Sequence, residues 1–205
     1  MYVNSAARIV EKRPDSKESM AGSKQAVVKT KGEPDLKNAL FVIDMQNDYL
    51  WEKRKKLFSY DTAQLVMSVN ELIRQYHGEG QDVIYIRHLI HNNPTNRLLF
   101  GYSIAGTEGA ELYSGLEIVS GYRFDKHFGD ALTNRELRRF IRDNGYDMLH
   151  LCGLDECGCV TATALGASKR GIKAAILRNG TASVFPEKKR AAAHEKLRKA
   201  GIDFI

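Results

Sequence analysis

A chain of 205 residues with 43% hydrophobic content is long enough for one domain with a buried core and short for two. Its apolar runs reach only about five residues, as in Ala39 to Ile43, which excludes a membrane-spanning helix or a signal-peptide core and leads us to expect a cytoplasmic protein. Three cysteines, an odd number, argue for reduced thiols over a disulfide framework, and the net charge of +6 comes with no nucleic-acid-binding signature.

Half of that charge lies in the first 37 residues, where eight basic side chains face five acidic ones. With Pro14, Gly22, Gly32 and Pro34 and little periodicity, residues 1–37 read as a basic arm or tail, ordered only against a partner subunit. The first strand is Ala39 to Ile43, closed by Asp44. Leu65, Val66, Val69, Leu72, Ile73 and Tyr76 then recur at helical spacing until Gly78 and Gly80 stop the helix. The run Lys53 to Lys56 before it reads as a solvated basic face.

Asp82 to Arg87 is the second strand. From His88 to Ser120 the pattern dissolves into Asn, Pro, Gly and Thr, and a stretch so long in a small domain is expected to shape a binding pocket. Tyr122 to Asp125 leads to Lys126, and Leu137, Phe140 and Ile141 mark a helix ending at Asn144 and Gly145. Met148 to Leu154 is the central strand. It feeds Cys159, which opens a helix running from Val160 to Ala167. Lys173 to Leu177, a helix from Pro186 to Ala200, and Ile202 to Ile205 complete the alternation. Repeated βα units of this length predict a three-layer α/β/α sandwich with a mostly parallel, Rossmann-like sheet over residues 38–205.

Asp44, Lys126 and Cys159 each end or follow an apolar run, and in parallel sheets the carboxyl ends of strands converge on one edge. A thiol at a helix N-terminus meets unpaired N–H groups that favour the thiolate. Lowering a thiol from about 8.5 to about 6 takes roughly 3 kcal/mol, which an ammonium at about 4 Å supplies at an effective dielectric near 20. An activated cysteine nucleophile is therefore expected.

The segment Val42 to Tyr49, Lys126 with Gly129 to Leu132, and Gly153 six residues ahead of Cys159 and Val160 resemble the isochorismatase-like cysteine hydrolases over about residues 38 to 205. That family includes nicotinamidases, N-carbamoylsarcosine amidase and isochorismatases proper. The resemblance implies Cys159 as nucleophile, Asp44 as general base and Lys126 as the cation between them. It also implies an oxyanion hole of the Asp155 and Cys159 backbone N–H groups, with a cis Leu154–Asp155 peptide, and a homo-oligomeric assembly. Retention of the cysteine favours a C–N bond of a small amide, ureide or lactam. A vinyl-ether hydrolase or an idle binding or assembly subunit are the alternatives.

Gln46, Tyr49, Trp51, His88 and Tyr122 are candidates to contact the small-molecule substrate, and Arg97 or Arg123 to pair a carboxylate. The residues Gly106 to Leu112 resemble a turn that relatives place near the active site or a subunit contact, which implies a neighbour of the site. Metal-dependent nicotinamidases carry an Asp-Trp-His-Pro segment and a further His. Here His88 and His91 stand alone, so no metal and no cofactor are expected, nor any nucleic-acid or membrane partner. Asp155 and Glu156 would oppose ionisation of the thiol if they faced it; they are expected to face away. Cys157 reads as a bystander and Cys152 as core.

Overall fold

A computed structural model describes residues 37–205, so the basic arm expected over residues 1–37 lies outside the described residues but for Lys37. Six strands, β1 (Asn38–Ile43), β2 (Asp82–His88), β3 (Arg123–Lys126), β4 (Met148–Gly153), β5 (Lys173–Thr181) and β6 (Asp203–Phe204), form one sheet. Its order is β3-β2-β1-β4-β5-β6, and every pairing is parallel. The direction of winding reverses between β1 and β4, which opens a crevice at the carboxyl ends of those two strands.

Period-two alternation along β1 divides the core. Ala39, Phe41 and Ile43 pack on one face of the sheet with Leu137, Ile141, Ala164 and Leu197. These come from α4 (Arg135–Asn144), α5 (Thr161–Ser168) and α6 (Glu187–Lys199). Leu40 and Val42 point the other way, into Leu65, Val69, Leu72 and Tyr76 of α2 (Thr62–Gly78). Asp61 caps α2 by accepting from the Gln64 N–H, and Asn134 caps α4 by accepting from Glu136 and Leu137. Helices on both faces give the expected three layers.

Three local departures matter. The strand expected over Lys173 to Leu177 runs on to Thr181, because Gly180 has no side chain to collide with Leu72 and Cys152. The irregular stretch after β2 contains a short helix, α3 (Pro94–Leu99), and a 3-10 turn, Glu108–Ala110. Cys159 does not open α5 directly. It sits inside a π-turn, Glu156–Val160, whose Gly158 has φ −105° and ψ −108°, and α5 starts after it.

Close approach of β1 and β4 hinges on Gly153. Its φ is +103°, and a Cβ there would fall 2.0 Å from the carbonyl oxygen of Ile43. Substitution by alanine is therefore expected to cost roughly 3 kcal/mol or more in urea unfolding, a larger loss than the same change at the open Gly78.

Candidate active site

The floor of the crevice is built by three strand ends. Asp44, directly after β1, adopts φ +54°, a left-handed conformation that aspartate tolerates better than most residues. It is held there by its own N–H on the Ile86 carbonyl and by its carbonyl accepting from Gln46 N–H. Lys126 ends β3 in register with His88 at the end of β2, and its side chain is fully buried. Its Nζ donates to Asp44 Oδ2 at 2.8 Å and to Cys159 Sγ at 3.1 Å. The three residues singled out from separate stretches of sequence thus meet around one ammonium.

Electrostatics at the thiol differ from the sequence expectation. Burial pushes Cys159 up to about 12, the neighbouring Asp44 charge adds to that, and Lys126 only partly opposes it. The estimate of a depressed thiol counted the ammonium and the helix end but left out desolvation and the carboxylate. Cys159 therefore rests as a thiol. Asp44 Oδ1 is buried without a hydrogen-bond partner, an acceptor at the centre left free for a proton.

This resting state has a pH signature. The folded chain keeps a proton that an unfolded cysteine releases near about 8.5, so Cys159 costs stability as pH rises from there toward 12. The ultraviolet thiolate absorbance of wild type minus Cys159→Ala is expected to be absent at neutral pH and to grow only above about pH 10. A full thiolate signal at pH 7 would contradict the assignment.

Above this floor lies a cavity of about 410 Å³. Asp44, His88, Cys159 and Tyr49 line it, and aromatic walls come from Phe58, Tyr60, Tyr102 and Phe185. Burial, then the Lys126 charge, lowers His88, which leaves a neutral imidazole facing the thiol. Tyr49 keeps its proton and bonds Ser103 Oγ at 2.7 Å.

Asp155, expected to face away, instead lines the cavity, but its carboxylate is spent. Oδ1 accepts from Cys157 N–H and Ser183 Oγ, and Oδ2 from Tyr60 Oη and Val184 N–H. Glu156 turns away toward His194 and Thr181, as expected.

Several expected contacts fall elsewhere. Gln46 is fully buried, and its amide bonds the His88 N–H and the carbonyls of His88 and Ala110, tying β1 to β2 and to the turn at Glu108–Ala110. It has no group left for a ligand. Trp51 lies away from the cavity under the Lys53 ammonium, 3.9 Å from its ring. Tyr122 precedes β3, at the opposite edge of the sheet from the crevice, and packs on Phe140. Arg97 bonds Asn92 and Arg123 is exposed; neither lines the cavity.

The cis Leu154–Asp155 bond is not present: no cis peptide occurs among the described residues, and Asp155 is extended at φ −80° and ψ 143°. The aromatic walls were not anticipated, although Phe58 and Tyr60 follow the β1 motif and Phe185 follows β5. Lying beyond strand ends was the available signal.

A zinc centre of the nicotinamidase kind does not fit these donors. His91 is exposed and stacks on His127, 5.0 Å away, rather than joining His88. Asp44, His88 and Cys159 do bring ligand-type atoms within 4.8 Å of one another, but Lys126 already places a fixed positive charge against Asp44 and Cys159. A second cation there would be repelled.

Comparison with known proteins agrees with this architecture. A curated relative, the "probable inactive nicotinamidase" of Arabidopsis thaliana, is 28% identical over 73% of this chain and 82% of its own length. The crystal structure of the nicotinamidase/pyrazinamidase PncA from Bacillus subtilis superposes with a TM-score of 0.71 at 26% identity, covering 82% of this chain and 99% of that one. The pyrazinamidase of Pyrococcus horikoshii, solved in complex with zinc, gives 0.67 at 27% identity, over 82% and 98%. The family model of the isochorismatase domain matches residues 38–205, and with that span of sequence and fold in agreement the chain belongs to the isochorismatase family of hydrolases.

Proposed function

We propose that this hydrolase cleaves the C–N bond of a small, flat, uncharged amide, ureide or lactam through a thioester on Cys159. The single observation that carries the reading is the buried Lys126 ammonium, bonded at once to Asp44 and to Cys159, which themselves line an apolar cavity.

In this scheme Cys159 Sγ attacks the carbonyl carbon as its proton passes to Asp44, whose free Oδ1 is the acceptor. The negative charge that develops on the carbonyl oxygen is met by backbone N–H groups of the nucleophile turn, those of Cys159 and Asp155 on the family resemblance. Asp44 returns the proton to the leaving nitrogen, and ammonia or an amine departs. A water molecule, deprotonated by Asp44, then cleaves the thioester to a carboxylic acid and restores the thiol. Lys126 holds Asp44 in place through both halves. Base catalysis at the moment of attack suits a resting thiol, because no standing thiolate is required.

Substrate class follows from the walls. No arginine or lysine lines the cavity, and the Asp155 carboxylate is fully engaged, so neither a carboxylate-rich substrate nor a cationic group finds a partner. Flat aromatic or lactam rings find stacking surfaces. The vinyl-ether alternative, whose isochorismate-type substrate carries two carboxylates, lacks a counter-charge here.

A panel of neutral and anionic amides scored by ammonia release tests the reading. Neutral heteroaromatic amides are expected to turn over with kcat/KM at least about tenfold above their carboxylate-bearing analogues. Preference for the anionic members would overturn the substrate assignment.

A further inference from the structure

Outside the cavity, a second cluster has no part in that reaction. Glu156, Cys157 and His194 bring a carboxylate oxygen, the thiol sulfur and an imidazole nitrogen within 4.8 Å of one another, and none of the three lines the cavity. His194 Nε2 stands 2.8 Å from Glu156 Oε1, and Cys157 Sγ stands 3.9 Å from the same oxygen. Thr181 Oγ1 donates to Oε2 at 3.0 Å, which fixes the carboxylate with Oε1 turned toward thiol and imidazole. The His194 ring is backed by Phe204, centroids 4.6 Å apart.

From this geometry we infer that Glu156, Cys157 and His194 are three ligands of a divalent cation of the zinc class, with the fourth position open to water on the half-exposed His194 side. Tetrahedral zinc holds sulfur at about 2.3 Å and nitrogen or oxygen at about 2.0–2.2 Å, so its ligand atoms lie roughly 3.3–3.6 Å apart. The two separations to Glu156 Oε1, 2.8 Å and 3.9 Å, lie on either side of that range, so a bound cation requires the His194 hydrogen bond to open and the thiol to swing inward.

Charge agrees with the geometry. Glu156 is 6% exposed, its carboxylate enclosed by Thr181, Cys157 and His194. One carboxylate, one thiolate, a neutral imidazole and a dication sum to zero. Binding releases the Cys157 proton to solvent. A mixed S, N, O donor set excludes magnesium and calcium, which require oxygen ligands. Thr181, holding the carboxylate from behind, supplies the outer-shell support that metal ligands need.

The position gives the ion a consequence. Glu156 and Cys157 are the first two residues of the π-turn that carries Cys159, and His194 belongs to α6. A bound cation would tie that helix to the nucleophile turn.

Full-length protein stripped with EDTA and titrated with Co²⁺ tests the inference. One equivalent is expected to produce a thiolate-to-cobalt charge-transfer band, to be displaced by Zn²⁺, and to persist in Cys159→Ala. The band is expected to vanish in Cys157→Ser, and His194→Gln to weaken binding at least tenfold. In the Cys159→Ala background, Zn²⁺ is expected to slow iodoacetamide labelling of Cys157 at least tenfold, a readout that does not depend on the stability of the Cys157 variant. No band, or a band kept in Cys157→Ser and lost in Cys159→Ala, would overturn the site while leaving the proposed hydrolysis untouched.

Discussion

Ammonia release from any amide substrate is expected to fall by at least about 10³-fold in Cys159→Ala, with the fold retained. On the proposed mechanism the Cys159 sulfur carries the acyl intermediate, and what remains without it is substrate binding and polarisation. Loss of one partly exposed thiol leaves a small gap beside a cavity that already exists, so urea stability is expected to change by less than about 1 kcal/mol. The ratio of the two effects is the test. Catalysis that survives the substitution would remove the thioester and return the vinyl-ether reading to consideration, and a stability loss as large as the activity loss would mean that the variant reports on folding.

Lys126→Met is expected to be the most damaging single change for stability. Both partners of the 2.8 Å ion pair are almost completely enclosed, and removing the ammonium leaves the Asp44 carboxylate buried without a counter-charge. Breaking such a pair from one side costs about 3–5 kcal/mol, whereas replacing both members with apolar groups is often nearly neutral. Urea unfolding of Lys126→Met, Asp44→Leu and the double variant should therefore be strongly non-additive, the double variant regaining much of the loss. Activity should not return with stability, because both the base and its anchor are gone. Additive losses would show that the pair is not the energetic unit the geometry implies.

How much of this was legible beforehand depends on the kind of information each residue carries. Asp44, Lys126 and Cys159 were found because polarity ends an apolar run at each of them, and a parallel sheet turns such positions into one edge. Tyr122 fails the same rule on inspection: it lies before β3, so strand polarity sends it to the other edge. Trp51 and Gln46 illustrate a different limit. An aromatic or amide side chain next to Asp44 has several directions to point, and only the assembled Glu108–Ala110 turn, the β2 end and the Lys53 ammonium decide among them. The resting thiol was misread for a third reason. Position in sequence revealed the attracting cation, but burial and the opposing carboxylate are properties of the assembled pocket.

Lys126 reaches the centre from β3, an outermost strand of four residues joined to the sheet through β2 alone. Detaching that margin is expected to require less than global unfolding, its cost set mainly by the lost ion pair to Asp44, and it withdraws the amine while β1 and β4 still hold acid and sulfur side by side. On the proposed mechanism, fraying at the border is expected to disarm the enzyme. Amide hydrogens of β3 should exchange earlier than those of β1, and inactivation on warming should follow them.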